Sequence, residues 1–504
     1  MTLSSLKHKP NIVWLVQDHV VWKHFQDTAG PKPKLAAYER IAAEGVSFRR
    51  AYTVTPLCTP ARASMITGVY AHKHGITRND GKELNDAFPA EMQPFNRYAQ
   101  ESGYRTGYFG KWHASKGDAT THGFEGFSMH GYGNPYRSEE YANYLSRCDL
   151  PDPIVDVEWV TSGDKVSNIN MRDNEVFAGV NKNGFRSSST GHFKAPVEAT
   201  ESYFLSSLAC DWLEEVAKDG SPFVMRVDVW GPHQPYLVAE PFRMTIDSAQ
   251  IPEYPNFSNT FADRPEYHKE DRLKWREQTG LTKWEEWQPV VARAYEHFAQ
   301  TDSALVQILD TLERLGLAES TIVIYTADHG DILASNGGLF DKDAMMTEET
   351  MRIPLAIRWP GVAPSGAVSD ALVCNMDVVP TVLDLVGADI PAYMDGESLT
   401  SLLQSPGDAS RRDALMAESY GHKEYDGLQR VVYSGDLKYV AHEDDSDELY
   451  DLKNDPFEMV NRIDDPLWSA AFHEMKGKLL ALMEKHDDNR ESSLRLIGQK
   501  SLQS

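Results

Sequence analysis

Three short runs of apolar, mostly β-branched residues constrain the fold of this chain more than any other feature. They are NIVWLV at 11–16, FVMRVDV at 223–229 and TIVIYT at 321–326. Each has the length of a strand. The first and third carry apolar or β-branched side chains at nearly every position, as a strand covered on both faces requires. Between them lie amphipathic helical patterns. Tyr295, Phe298, Leu305, Ile308, Leu309, Leu312 and Leu315 keep a 3.6-residue rhythm from about 290 to 315, and Gly316 stops it. Strands alternating with such helices predict an α/β fold, a large, mostly parallel or mixed sheet sandwiched by helices.

Two stretches break the rhythm. Residues from about 128 to 200 are rich in Gly, Asn, Ser and Tyr, and those from about 240 to 290 carry Pro, charge, and Trp275, Trp284 and Trp287. Excursions of this length from an α/β core are expected to be loops that shape a site. After about 405 the texture changes again. Residues 429–433 and 437–440 flank Ser434-Gly435-Asp436 as a hairpin, 448–452 adds a strand, and 466–487 reads as an amphipathic helix. The expected organisation is a catalytic domain over 1–404 and an α+β subdomain with a small antiparallel sheet over 405–504.

Charge and cysteine content narrow the partners. With 50 basic and 75 acidic residues the net charge is −25, which repels polyanions and argues against nucleic acid as a partner. Four cysteines in 504 residues are too few for a disulfide framework, and they form no C-x-x-C pair. No run of about 18 apolar residues suggests a membrane span, and the first ten residues lack the apolar core of a signal peptide. A cytoplasmic protein is expected, or a periplasmic or secreted one whose signal peptide has been removed. Oligomeric state is not legible.

The chemistry-bearing residues cluster where strands end. The first strand runs into Gln17-Asp18-His19 and the third into Ala327-Asp328-His329-Gly330. In open α/β sheets ligands bind outside the carboxyl ends of the strands, so Asp18, Asp328 and His329 form an oxygen-rich shell suited to Ca²⁺, Mg²⁺ or Mn²⁺. Cys58 lies in TPLCTPARASMITG at 55–68, with Pro60 placed for the first turn of a helix and Arg62 one turn on. The thiol then sits at the positive end of a helix. Gly110-Lys111-Trp112-His113 follows an apolar run, Gly231-Pro232-His233-Gln234-Pro235 follows the second strand, and Lys342 lies in a glycine-rich loop after the third.

These motifs resemble the formylglycine-dependent, type I sulfatase family of the alkaline-phosphatase-like superfamily. Cys58-Thr59-Pro60-Ala61-Arg62 is similar to the C-x-P-x-R signature at which cysteine is converted to formylglycine. Gly110-Lys111-Trp112-His113 resembles G-K-x-H, Pro232-His233-Gln234-Pro235 resembles P-H-x-P, and Asp328-His329-Gly330 resembles D-[NH]-G. Glu448-Leu449-Tyr450-Asp451-Leu452 and the following Asp455-Pro456 resemble a C-terminal E-L-Y-D-L-x-x-D-P. The matches run in order from residue 11 to about 460. One departure stands out: many members carry two adjacent aspartates after the first strand, and here the pair is Asp18-His19. Whether His19 binds metal, lines the site or alters the preferred cation stays open.

The resemblance implies hydrolysis of sulfate esters, R–O–SO₃⁻, to alcohol and sulfate. Cys58 would be oxidised to formylglycine by a maturation enzyme and hydrated, and one hydroxyl would attack sulfur. Asp18, Asp328, His329 and, as the fourth candidate, His19 would hold one divalent cation, Ca²⁺ ahead of Mn²⁺ or Mg²⁺. That cation and Arg62 would favour the alkoxide. Lys111 and Lys342 would neutralise sulfate oxygens, and His233 or Lys342 would protonate the leaving alcohol. His113 would deprotonate the second hydroxyl, releasing sulfate from the covalent adduct. Asn79 resembles a position near the sulfate. The expected substrate is a small sulfated carbohydrate or an aryl or alkyl sulfate. Two alternatives remain: hydrolysis of phosphonate monoesters or phosphodiesters, whose relatives replace the Lys/His pair of G-K-x-H by Thr or Tyr, and non-catalytic carbohydrate binding on the same scaffold.

Overall fold

The computed structural model describes residues 9–79, 86–161, 165–173, 188–342, 345–408, 412–422, 425–443, 445–489 and 493. Its centre is an eight-stranded sheet of β1 (Asn11–Gln17), β2 (Val46–Tyr52), β3 (Arg105–Lys111), β4 (Glu125–Met129), β5 (Phe223–Asp228), β6 (Thr321–Ala327), β7 (Leu355–Arg358) and β8 (Ala367–Cys374). The spatial order is β8-β2-β7-β6-β1-β5-β3-β4. β1 pairs in parallel with β6 on one side and β5 on the other. Only β7 runs against its neighbours β6 and β2, which makes the sheet mixed.

Every residue of β1, β5 and β6 is buried, because helices cover both faces and the pleat alternates side chains between them. Val13 and Leu15 pack with Leu205, Leu213, Leu305, Ile308 and Leu312 from α2 (Glu201–Asp219) and α3 (Trp284–Arg314). Ile12, Trp14 and Val16 pack with Met65, Ile66, Val379 and Val382 from α1 (Cys58–Thr67) and the helix Val378–Val386. Among the described residues no helix is long and apolar enough to cross a membrane.

Both excursions hold more regular structure than their composition predicts. The expectation of loops is corrected over much of their length. The earlier one contains the helix Glu139–Arg147 and three strands, Ile154–Val160, Ile169–Asn170 and Ser189–Phe193, which form a second sheet with Tyr236–Val238. Residues 162–164 and 174–187 lie outside the described set. The later one contains the helix Glu266–Thr279, and its three tryptophans are core residues, each at most 5% exposed. Two of them, Trp275 and Trp287, have ring centroids 5.7 and 5.9 Å from that of Phe340. Burying two indoles against one ring keeps aromatic surface from water and anchors the loop that carries Lys342, while Trp284 packs on Tyr254 and Phe257.

Four antiparallel strands follow near the C-terminus in sequence order, Ala414–Ser419, Gln429–Ser434, Leu437–His442 and Glu448–Asp451. Gly435, with φ +54°, turns the hairpin between paired Ser434 and Leu437. The helix Ser469–Lys485 seats Met475, Leu479 and Met483 on this sheet, and the same cluster takes in Tyr52, Tyr70 and Leu372 of the large body.

Candidate active site

Strand register brings the site together. Gln17 pairs with Ala327, so the next residues, Asp18 and Asp328, leave the sheet side by side. On the other flank Val16 pairs with Asp228, and Asp228 with Gly110, so Lys111 emerges one residue beyond. Four neighbouring strands thus deliver three carboxylates and an ammonium group to one edge.

α1 brings the nucleophile candidate to the same point. All ten of its residues are buried, it opens at Cys58, and Gly68 at φ +75° ends it. Pro60 in the first turn costs no hydrogen bond, because the leading N–H groups have no partner inside a helix. One of these, Thr59 N–H, donates to Asn79 Oδ1 at 2.9 Å, so Asn79 caps the helix from a distance. Cys58 Sγ lies 3.1 Å from His329 Nε2 and 3.8 Å from Asp18 Oδ1.

Arg62, fully buried, faces three carboxylates. Its Nε donates to Asp328 Oδ2 at 2.9 Å, its Nη1 to Asp228 Oδ2 at 2.8 Å and to the Lys111 carbonyl at 3.0 Å, and its Nη2 lies 3.7 Å from Asp18 Oδ2. Lys111 Nζ donates to Asp18 Oδ2 and sits 4.0 Å from the centre of the Tyr132 ring. Lys342 Nζ donates to Asp341 Oδ1 at 3.0 Å. His113 lies beside Thr59, with ring nitrogens 3.3 and 3.4 Å from Oγ1. His233 stacks at 4.6 Å between centroids on His19.

These charges set the protonation states. Burial alone raises the Asp18 carboxyl, but Lys111 and Arg62 outweigh it and hold the group well below the carboxylate range. Burial likewise raises the Cys58 thiol, yet Lys111 and Lys342 bring it below its ordinary value. Burial lowers His329, and Asp328 and Cys58 more than restore it. His113 falls well below its usual value through burial, with Lys111 and Arg62 adding to the effect. His233 is pushed down to about 3 by burial and then Lys342. Both imidazoles are therefore neutral near pH 7.

Asp18, Cys58, Asp328 and His329 each offer one ligand atom, and these atoms lie within 4.8 Å of one another. Nδ1–H of His329 donates to the Gly330 carbonyl at 2.8 Å, which leaves the Nε2 lone pair aimed into the cluster. Two carboxylates and one imidazole beside a nucleophile fit a hard divalent cation. His19 is the residue that the structure does not bring into this set. Its backbone N–H donates to Asp328 Oδ1 at 3.1 Å, while its ring nitrogens lie 3.6 Å from Asp331 Oδ2 and 3.4 Å from Asp341 Oδ1. A second group, His72, Glu418 and Asp488, also converges. There Arg430 already bonds Asp488 at 2.6 Å and lies 3.5 Å from Glu418, so the compensating cation is a guanidinium.

Three participants escaped the sequence reading. Asp228 lies between two arginines, with Arg226 Nε at 2.6 Å and Nη2 at 2.8 Å on one side and Arg62 on the other. Two charges at i and i+2 in an otherwise apolar strand were the available signal, since neither can be buried unpaired. Asn375 donates to the Asp328 carbonyl at 2.9 Å and left no recognisable signal. Tyr132, between two glycines of positive φ, is held by Trp230 Nε1–H donating to its carbonyl at 2.7 Å. Its ring meets those of His113 and His233 edge-on, at 5.3 and 5.6 Å between centroids.

Comparison with known proteins places this edge in context. The chain is 28% identical over 507 residues to the uncharacterized sulfatase YidJ of Escherichia coli (strain K12), covering 95% of this chain and 88% of the relative. It is 26% identical to the N-acetylglucosamine-6-O-sulfatase of Bacteroides thetaiotaomicron, over 95% of this chain and 87% of that one. Among solved structures, BT4656 in complex with its substrate D-glucosamine-2-N,6-O-disulfate superposes with a TM-score of 0.72 at 22% identity, covering 96% of this chain and 99% of the other. The phosphonate monoester hydrolase of Agrobacterium radiobacter superposes with a TM-score of 0.75 at 20% identity, covering 95% and 96%. At these identities the structural likeness establishes the alkaline-phosphatase-like fold and does not separate the two chemistries. The profile "N-sulphoglucosamine sulphohydrolase, C-terminal" matches residues 335–485. The profile "Sulfatase" matches residues 10–388, a span that contains every residue converging on the sheet edge, and by that match the chain belongs to the sulfatase family of sulfuric ester hydrolases.

Proposed function

We propose that the chain hydrolyses sulfate esters at residue 58, with Cys58 matured to formylglycine and one divalent cation held by Asp18, Asp328 and His329. The observation that carries this reading is the convergence of Cys58 Sγ, at a helix N-terminus, with those three ligands and with Arg62 and Lys111, all 1% exposed or less. The cation would supply positive charge against ester oxygens and an ionised hydroxyl, and the hydrated aldehyde would supply two hydroxyls, one to attack and one through which sulfate is expelled.

The chain's own residues do the rest. Arg62, locked by Asp328 and Asp228, presents a fixed cation beside residue 58. Lys111 and Lys342, 0% and 3% exposed, counter the charge on sulfate oxygens where such pairing acts at low effective dielectric. Neutral His113, beside Thr59, accepts the proton of the second hydroxyl. His233 or Lys342 protonates the leaving oxygen. For His233, the negative charge of an arriving ester opposes the burial and the Lys342 charge that depress the imidazole. Two carboxylates in the ligand set support Ca²⁺ first, with Mn²⁺ or Mg²⁺ as alternatives.

Small sulfated sugars and aryl or alkyl sulfates are the proposed substrates, supported by the sugar sulfatases among the relatives. The test is a pair of initial rates, on 4-nitrophenyl sulfate and on a phenyl phosphonate ester, using protein co-produced with a maturation enzyme. Preference for the sulfate ester, with formylglycine in the peptide holding residue 58, is expected. Preference for the phosphorus ester would overturn the reading.

A further inference from the structure

His19 is fully buried, and neither of its ring nitrogens finds a hydrogen-bond partner at ordinary length. A φ of +71° and the backbone N–H···Asp328 Oδ1 bond at 3.1 Å fix how the chain leaves the strand at this residue. Nδ1 lies 3.6 Å from Asp331 Oδ2 and Nε2 lies 3.4 Å from Asp341 Oδ1. These two contacts lie on opposite edges of the ring, so no single ion could occupy both. A buried imidazole of this kind is costly unless its polar atoms serve something.

Both carboxylates are themselves placed. Asp331 accepts from Tyr236 Oη at 2.9 Å and from the Leu333 amide at 3.0 Å. Asp341, in the left-handed region at φ +68°, accepts from the Lys342 amide at 2.8 Å and from Lys342 Nζ at 3.0 Å. Lys342 is 3% exposed. The path therefore runs from a tyrosine on the second sheet, through Asp331, His19 and Asp341, to the ammonium group of Lys342.

We propose that His19 is a positioning residue and not a metal ligand: its imidazole fills the space between Asp331 and Asp341, 3.6 and 3.4 Å from their carboxylate oxygens, and thereby fixes the loop that carries Lys342. The inference rests on the sulfatase reading for what Lys342 does, though not for the geometry. A metal ligand is lost with its metal, whereas a positioning residue leaves the metal and loosens the side chain that it holds.

Three measurements on His19→Ala and His19→Gln test it, with thermal unfolding to establish that each variant folds. The first is the calcium content per chain after equilibrium dialysis, with Asp328→Asn as the depleted control. Both His19 variants should match wild type. The second is the rate at which an amine-acylating reagent labels Lys342, read by peptide mass spectrometry. It should rise several-fold in His19→Ala and in Asp341→Asn, and return towards wild type in His19→Gln, which refills most of the space between the two carboxylates. The third is kcat and KM on an aryl sulfate. Loss of this buried ring should lower kcat/KM roughly 10- to 100-fold, and in Lys342→Ala the further change His19→Ala should add little, because the two act as a unit. Loss of calcium in either His19 variant, unchanged Lys342 labelling in His19→Ala, or independent multiplication of the two effects would overturn the proposal. Metal content and labelling need no turnover, so a wild-type protein inactive on sulfate esters would sink the reaction and leave this inference to be decided by the first two readouts.

Discussion

Replacing Asp228 with asparagine removes the charge that the structure sets between two buried arginines. Asp228 accepts from Arg62 at 2.8 Å and from Arg226 at 2.6 and 2.8 Å, and all three side chains are fully buried. Each such charge-assisted bond contributes about 1.5–3 kcal/mol net, and breaking a buried pair from one side costs about 3–5 kcal/mol. Asparagine keeps one acceptor and turns an NH₂ towards a guanidinium, so Asp228→Asn should lose about 3–5 kcal/mol of stability. Arg62 retains Asp328 and the Lys111 carbonyl but loses its third anchor, and a small displacement beside residue 58 should lower kcat about 10- to 100-fold with little change in KM. Urea midpoints followed by tryptophan fluorescence, together with aryl sulfate kinetics, measure both effects. The internal control is Asp310→Asn, which breaks an ion pair to Arg40 with a carboxylate 62% exposed and should cost no more than about 1 kcal/mol. An Asp228→Asn protein with wild-type midpoint and kcat would refute the reasoning. Lost stability with unchanged kcat would refute the positioning of Arg62 alone.

Dialysis against a chelator should abolish turnover, and restoring Ca²⁺, Mn²⁺ or Mg²⁺ separately should identify the effective cation; full activity after exhaustive chelation would exclude the ligand set. Asp328→Asn should lower both bound metal and the order around Arg62, read as a shared fall in metal stoichiometry and unfolding temperature. Tyr132→Ala should impair turnover more than Tyr132→Phe, because the ring over Lys111 and between the two histidines supplies the contact; equal effects would assign the role to the hydroxyl. The pair of His72 and Glu418, 3.0 Å apart, makes the seating of the C-terminal sheet pH-dependent. Burial lowers His72, but Glu418 outweighs it and raises the imidazole above its ordinary 6.5, so its contribution is complete below about pH 6.5 and declines as pH rises through the raised value. Burial raises Glu418, but His72 and Arg430 outweigh it and depress the carboxyl far below its ordinary range, so its contribution is complete above about pH 4.5 and is lost progressively as pH falls from there through the depressed value. Thermal unfolding should therefore soften from pH 6 to 8, and His72→Gln should flatten that slope.

Much of the site was legible because its residues follow strand ends. An apolar run that terminates in Asp-His projects those side chains beyond the sheet wherever the strand lies, so Asp18, Asp328 and His329 could be nominated from local pattern. Cys58 and Arg62 were equally local, one turn apart on one helix. Asp228 was passed over although it ends a strand in the same way, because its value depends on Arg62, 166 residues away in sequence. Tyr132 and Phe340 belong to stretches whose local pattern says only that they are irregular. The stretch holding Trp275, Trp284 and Trp287 has the composition of a site-shaping loop, yet all three are buried, Trp275 and Trp287 against Phe340 in the loop that presents Lys342. Exposure is a property of what packs on a residue, and that contact is made from a distance.

By itself, the order of residues determined the layered α/β architecture, the helix that starts at Cys58 and the set of groups proposed to hold a cation and a sulfate ester. These follow from periodicity, capping and side-chain chemistry, all of which act within a few residues. Only the tertiary structure decided the neighbours. Placing β1 between β5 and β6 set Asp18 beside Asp328, put Arg62 among three carboxylates, and set the ring nitrogens of His19 against Asp331 and Asp341. The reason is electrostatic and steric: a buried charge acquires its role from partners within about 4 Å, and in a sheet built by crossover connections those partners come from the far ends of the chain.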